Sequence, residues 1–341
     1  VLALFDKGEH EKALSFAEKA LVVAENEFGK EHTNYASNLY NLGKLNEDLG
    51  RYTIAEGYYT ALLETRKKMA GENHSGYASS CNALGVLYTK TRQFEKAEIY
   101  LVKAVETWDR VLGKQNENYI ISLENLSFTY ARQGKNDKAE IASLAALELK
   151  KISLGETDPL YILAVKNLAK FYQNTSQYDK AEKYFLTAIK IAEDSLVDNT
   201  PEYTETLLFL ANLYKETGKY IEAETWFMKA VKSGKKTLGT GHSFYGRILN
   251  DLALLYDYSG KHEAADSLLN QALGIARKTK GDKHPDVAVV LNNLGSLYND
   301  MGLFAKAEPV ILEALEIKRK FYGEDHVENV PVFNILANLY S

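Results

Sequence analysis

The chain has 341 residues with 41 Lys and Arg against 46 Asp and Glu, a formal net charge of -5, which excludes the strongly basic surface of a nucleic-acid-coating protein. Its single cysteine, Cys81, excludes an intrachain disulfide and a cysteine-based metal cluster. No apolar run approaches the ~20 residues of a membrane span, and Val1–Asp6 is too short for a signal peptide, so the expectation is a cytoplasmic protein with no membrane or nucleic-acid partner.

Steps of 42 residues from Ala13 land on Ala55, Ala97, Ala139, Ala181, Ala223, Ala265 and Ala307, and from Leu42 on Leu84, Leu126, Leu168, Leu210, Leu252, Leu294 and Leu336. A fixed period in this range is the signature of stacked repeats, and a stack grows linearly, so length does not count its domains. The expected organisation is one all-α solenoid domain over 1–341. It comprises a partial repeat 1–34, seven full 42-residue repeats over about 35–328 and a partial repeat 329–341. Leu2–Gly8 fills the slot of a first-helix end and Pro331–Ser341 is a first helix with no partner, which predicts a fragment of a longer chain.

Within the first full repeat, Leu39, Leu42 and Leu49 with Ala36 and Gly43 follow helical spacing, so Tyr35–Leu49 reads as a first helix with one face to bury. Gly50-Arg-Tyr52 breaks the pattern, as Gly134, Gly218, Gly260 and Gly302 do later, because glycine reaches the left-handed conformation that ends a helix. A second helix follows over about Thr53–Met69, with Ala55, Tyr59, Leu62 and Leu63 inward, and Gly71–Ser75 turns the chain back. Small residues at Gly43, Gly85, Ser127, Ala169, Ala211, Ala253, Gly295 and Ala337 mark the close approach of two helices. Tyr88, Tyr130, Tyr172, Tyr214, Tyr256 and Tyr298 fill the wider part of the wedge, and Cys81 stands in a leucine slot. Local departures are Arg92 and Ser176 at the turn glycine, Val197 at the loop glycine, Asn46 at the tyrosine and Pro309 early in a second helix.

The leucine, small residue and tyrosine of the first helix, with the glycine-aromatic-x-x-alanine-glutamate turn into the second, resemble the tetratricopeptide repeat. The 42-residue period and the Gly-x-x-His-Pro-type connection, as in Gly281-Asp-Lys-His-Pro285, are similar to the kinesin-light-chain type of that repeat, also abundant in bacterial multidomain proteins. The resemblance covers essentially the whole chain and implies a right-handed superhelical solenoid of antiparallel helix pairs, a scaffold that does not by itself specify a ligand.

His32, His74, His242, His284 and His326 recur in the inter-repeat loop, too far apart to share an ion, and Asn116, Asp158 and Thr200 fill the same slot. A polar cap at a helix start fits this set better than a ligand set. Gly239-Thr-Gly-His242 follows a helix and lacks the lysine of a phosphate loop. The many Glu and Asp residues read as solvated helix surface, no catalytic set is recognisable, and neither a cofactor nor a metal is expected.

The resemblance implies that first helices line a concave groove. On this chain that set comprises Tyr40, Asn41, Lys44, Asn82, Val86, Glu124, Asn125, Phe128, Lys166, Asn167, Lys170, Phe209, Asn212, Asn250, Asp251, Asn292, Asn293 and Ser296. Asparagine recurs, and its amide both donates and accepts, so a row of amides can pair with the backbone of an extended peptide. The alternative, a merely solvated face, would more naturally use Glu, Lys or Gln. Arg132, Lys166, Lys170 and Lys215 form a central basic stretch suited to an acidic peptide, with Phe128 and Phe209 as apolar anchors, while Asp251, Asp257 and Asp300 lie toward the C-terminal end. The ordered lysine, asparagine and arginine set of the family's carboxylate clamp is not present. The expected function is a non-enzymatic scaffold binding a protein or peptide. Two alternatives are an array regulating an adjacent effector domain of the same chain and a self-assembling structural module.

Overall fold

The structure, a computed structural model, describes residues 9–195 and 197–340, so the Leu2–Gly8 slot lies outside the described residues. Regular structure there is helical: α1 (His10–Phe28), α2 (Thr33–Asp48), α3 (Tyr52–Ala70), α4 (Ser75–Lys90), α5 (Phe94–Leu112), α6 (Glu117–Arg132), α7 (Asn136–Leu154), α8 (Pro159–Asn174), α9 (Tyr178–Asp194), α10 (Pro201–Glu216), α11 (Tyr220–Thr237), α12 (Ser243–Tyr258), α13 (His262–Lys280), α14 (Pro285–Asp300), α15 (Phe304–Tyr322) and α16 (Val330–Tyr340), with a single 3₁₀ turn at Val327–Asn329. Even-numbered helices are the first and odd-numbered the second helices of the repeats. The chain divides into two compact units, Val1–Gly155 and Glu156–Ser341, and within each the helices stack as antiparallel pairs in chain order.

The loop histidines are helix caps. Nδ1 of His32, His74, His242, His284 and His326 accepts the backbone N–H two residues on, at 3.0–3.2 Å, and Asn116, Asp158 and Thr200 place a side-chain oxygen in the same role. Each satisfies one of the orphaned donors at the start of a first helix, or for His326 of the 3₁₀ turn Val327–Asn329 that precedes the last one. Between the helices of a pair the turn closes by a backbone bond from the residue before the second helix to the tyrosine slot, as in Lys219 N–H to Tyr214 O at 2.9 Å. Arg92 and Ser176, standing where glycine is expected, adopt the same left-handed conformation, with φ of 61° and 58°.

Burial follows the repeat pattern. Ala55, Tyr59, Leu62 and Leu63 are all buried on α3, and the alanine series from Ala13 to Ala307 is fully buried. A methyl group on Gly43 would meet the Tyr59 ring at 2.4 Å, and one on Gly295 would meet Ile311 Cγ1 at 2.3 Å, so the small residue sets the spacing of the pair. Asn46, in the tyrosine slot, is buried and donates to Leu42 O at 2.8 Å, while Tyr59 sends its hydroxyl to Glu47 at 2.8 Å. Cys81 is fully buried, and that burial pushes its thiol up to about 11.

Polar clasps join successive repeats within each unit. Tyr88 donates to Glu56 at 2.7 Å, Tyr214 to Glu182 at 2.8 Å and Tyr298 to Asp266 at 2.7 Å. Lys135, Lys219 and Lys261 reach back to Glu98, Glu182 and Glu224 from the start of the following second helix. Lys219 and Lys261 also sit over the rings of Tyr214 and Tyr256, 5.3 and 4.9 Å from the centroids. The glutamates of the Ala-Glu motif are therefore not the solvated surface expected of them. Their partners lie 32 and 37 residues on, in the next repeat.

Candidate functional site

One face of each first helix stays in solvent because its opposite face packs twice, on its own second helix and on neighbouring repeats. On α14, Val287, Ala288, Leu291, Leu294, Gly295 and Leu297 are buried, which leaves Asp286, Val289, Asn293, Ser296 and Asp300 in one outward row. The matching row on α12 is Phe244, Arg247, Asp251, Leu254 and Tyr258, and on α6 it is Asn118, Ile121, Asn125, Phe128 and Arg132.

The predicted asparagines divide between two positions. Asn41, Asn125, Asn167 and Asn293 lie in the outward row, and Asn212 one turn further on, whereas Asn82, Asn250 and Asn292 sit one residue earlier, in the seam between neighbouring first helices. The two positions meet across the seam: Asn125 Nδ2 donates to Asn82 Oδ1 at 3.0 Å and Asn293 Nδ2 to Asn250 Oδ1 at 2.8 Å. Asn212 Nδ2 donates to Leu208 O at 3.1 Å and contacts Asp251 Oδ2 at 3.3 Å. Part of the amide capacity thus ties adjacent repeats together, and Asn167 is exposed.

The basic stretch is reduced. Lys166 is a seam residue whose side chain is only 5% exposed and is ion-paired with Glu205 at 2.5 Å, so it offers no cation to a ligand. Lys170 Nζ lies 4.4 Å from the Phe209 ring centroid, which couples the cation and the apolar anchor into one feature. Phe209 also stacks on Phe185, with centroids 6.1 Å apart. Lys215 is half-buried over Phe227, and Arg132 is exposed in the first unit. Phe128 is 58% exposed, an aromatic side chain held in solvent.

Two clefts open between α12 and α14. One, of about 450 Å³, is lined by Phe244, Arg247, Asn250 and Asp251 of α12, Ala272, Ala276, Thr279 and Lys280 of α13, and Asp286, Val289 and Val290 of α14. The other, of about 400 Å³, is lined by Leu254, Asp257, Tyr258, His262, Asn292, Asn293, Ser296 and Asp300. Asn250 lines the first and Asn293 the second, so their hydrogen bond links the two. Asp251 takes contacts at 3.3 Å from both Asn212 and Asn250.

Tyr258, Val289 and Ile121 are exposed apolar members of the outward rows that composition alone did not mark. Their signal is angular: each lies three, four or seven residues from a groove position on its own helix. Among the described residues no group of three or more His, Cys, Asp or Glu converges to hold a metal ion, and no helix is long and apolar enough to cross a membrane.

A family model described as Tetratricopeptide repeat matches residues 1–68, 77–152, 161–232, 203–278 and 286–341. No curated protein matches the chain. Among solved structures, a putative kinesin light chain with nearly identical TPR-like repeats from Podosopora anserina is 23% identical over 61% of this chain and 98% of that one, with a TM-score of 0.53. The apo form of RapI is 16% identical over 85% and 99%, with a TM-score of 0.58. A tetratricopeptide repeat protein from Parabacteroides merdae ATCC 43184 is 18% identical over 90% and 99%, with a TM-score of 0.57. At these identities the likeness is one of fold.

Proposed function

Because the chain belongs to the tetratricopeptide-repeat family, whose members generally act as protein-interaction scaffolds, we propose that the outward face of its first helices binds an extended peptide or peptide-like segment of a protein partner. The observation that supports this reading most is the makeup of that face. Its rows hold Asn125, Asn167 and Asn293 beside the exposed Phe128, Tyr258 and Val289, where a face that only meets water would carry Lys and Glu. Amides supply backbone pairing and the exposed rings supply anchors. In the second unit Lys170 on Phe209 takes an acidic side chain beside an apolar one; Lys166 plays no part.

The test is an array of random peptides probed with the full chain and with Asn167→Ala combined with Lys170→Glu. Binding falls about tenfold or more if a charge contact and an amide contact are lost together. Unchanged binding refutes the groove. Fold is checked against Leu168→Ala: Leu168 is buried, so that change costs about 2–5 kcal/mol, while the double variant unfolds near the parent.

A further inference from the structure

The repeats are an internal reference for what each position needs. At two seams the next-to-last residue of one first helix hydrogen-bonds the last residue of the next. In the first unit that pair is Glu47, with its side chain 4% exposed, and Lys90, whose ammonium binds it. Two repeats before α14 the same two positions hold Gln173 and Glu216, and the amide donates to the carboxylate at 2.9 Å. Between α12 and α14 they hold Asp257 and Asp300: the acceptor has met a second acceptor, and the cation that Lys90 supplies elsewhere is missing.

The surroundings depart from the pattern at the same place. His262 stands where five repeats carry Tyr52, Phe94, Tyr178, Tyr220 and Phe304 and two carry His10 and Asn136, and its Nδ1 lies 3.0 Å from Asp257 Oδ1. Burial first, then the charge of Asp257, holds the Asp300 carboxyl above the usual carboxylate range, and His262 acts the other way. Among the described residues no lysine or arginine pairs with either aspartate. Asn292 also lines this cleft, and its Oδ1 is buried without a donor. Tyr258, 75% exposed, and Leu254 offer an aromatic face and an apolar wall beside these acceptors.

We propose that this cleft seats an arginine or lysine side chain of the peptide, whose cation takes the place that Lys90 fills in the first unit. The proposal rests on the groove reading above and assigns one residue class of the ligand. The aliphatic stem runs past Leu254 and the cation bridges Asp257 and Asp300 with the Tyr258 ring beside it; a guanidinium fork suits two carboxylates well.

The experiment uses the full chain, its Asp300→Lys variant and two probes. The first is a library of random extended peptides. Binders selected on the parent carry a fixed Arg or Lys, replacing it by norleucine weakens them about tenfold, and Asp300→Lys abolishes that difference. Selected binders without a basic residue, or a norleucine loss that is equal in both proteins, overturn the proposal. The second probe is Nα-acetyl-L-arginine methylamide alone. It raises the melting temperature of the parent and leaves that of Asp300→Lys unmoved, and it does so even if no library peptide binds, in which case the groove reading fails and the cation subsite stands. An equal rise in both proteins, or the same rise with magnesium chloride at equal concentration, overturns the subsite. Asp300→Lys itself melts higher than the parent, because it rebuilds the Glu47–Lys90 arrangement.

Discussion

Gly295 and Ile311 give the sharpest test of how the hairpins are spaced. Replacing Gly295 by alanine in the middle of α14 gains about 1 kcal/mol of helix propensity. The new methyl, however, would lie 2.3 Å from Ile311 Cγ1 and 3.1 Å from its Cδ1, far inside van der Waals contact. Ile311 is fully buried and branched at Cβ, so it cannot swing clear, and overpacking of this kind costs about 1–3 kcal/mol. The net result is a loss of about 0–2 kcal/mol. Ile311→Ala alone costs about 2–5 kcal/mol as a large-to-small change, but on that background the Gly295 methyl enters vacated space and stabilises. The double-mutant cycle should therefore show a favourable coupling of about 1–3 kcal/mol. Guanidinium unfolding followed by circular dichroism reads the total, and amide exchange over α14 and α15 places the change, since repeat arrays open locally. Gly57→Ala is the control, because nothing lies within 4 Å of its methyl and it should gain the full propensity term. If Gly295→Ala stabilises as much as Gly57→Ala, or the two effects add within about 0.5 kcal/mol, the close-approach argument is wrong.

Arg92→Gly and Ser176→Gly should each stabilise by about 1 kcal/mol, since both residues hold a left-handed conformation that costs a side chain about that much; a lower melting temperature for either would contradict it. The clasp tyrosines Tyr88, Tyr214 and Tyr298 are held above the ordinary phenol range by burial and by hydrogen bonds to carboxylates. Below the unfolded value of about 10 both states are protonated and the contribution is intact; above it the unfolded chain ionises first, so stability falls as pH rises. Unfolding free energies measured across that range should decline, less so in Tyr214→Phe, and a flat profile would show the hydroxyls are not held.

The architecture was legible because the 42-residue period repeats one packing problem, and each solution leaves the same residue behind. Gly43 and Gly134 are readable alone, since sterics and backbone conformation act within one hairpin. Helix limits agree within two residues where the spacing predicts Tyr35–Leu49 and the structure has Thr33–Asp48. What escaped depends on a second repeat. Glu182 looks like surface until Tyr214 and Lys219 arrive from the next hairpin, and Lys166 looks like a groove cation until Glu205 pairs with it. The seam and outward positions are adjacent in sequence, so Asn250 and Asn293 read as equals although one is buried and the other half-exposed.

The clasps run in one direction: the carboxylate always belongs to the upstream repeat, and the hydroxyl and ammonium to the downstream one. Excising residues 201–242 would therefore place Tyr256 and Lys261 opposite Glu182 as substitutes for Tyr214 and Lys219, with Thr200 serving as the cap that His242 provides. A gene for this chain can lose or duplicate such a 42-residue cassette without designing a new joint, and what the event alters is the order of side chains shown to a ligand.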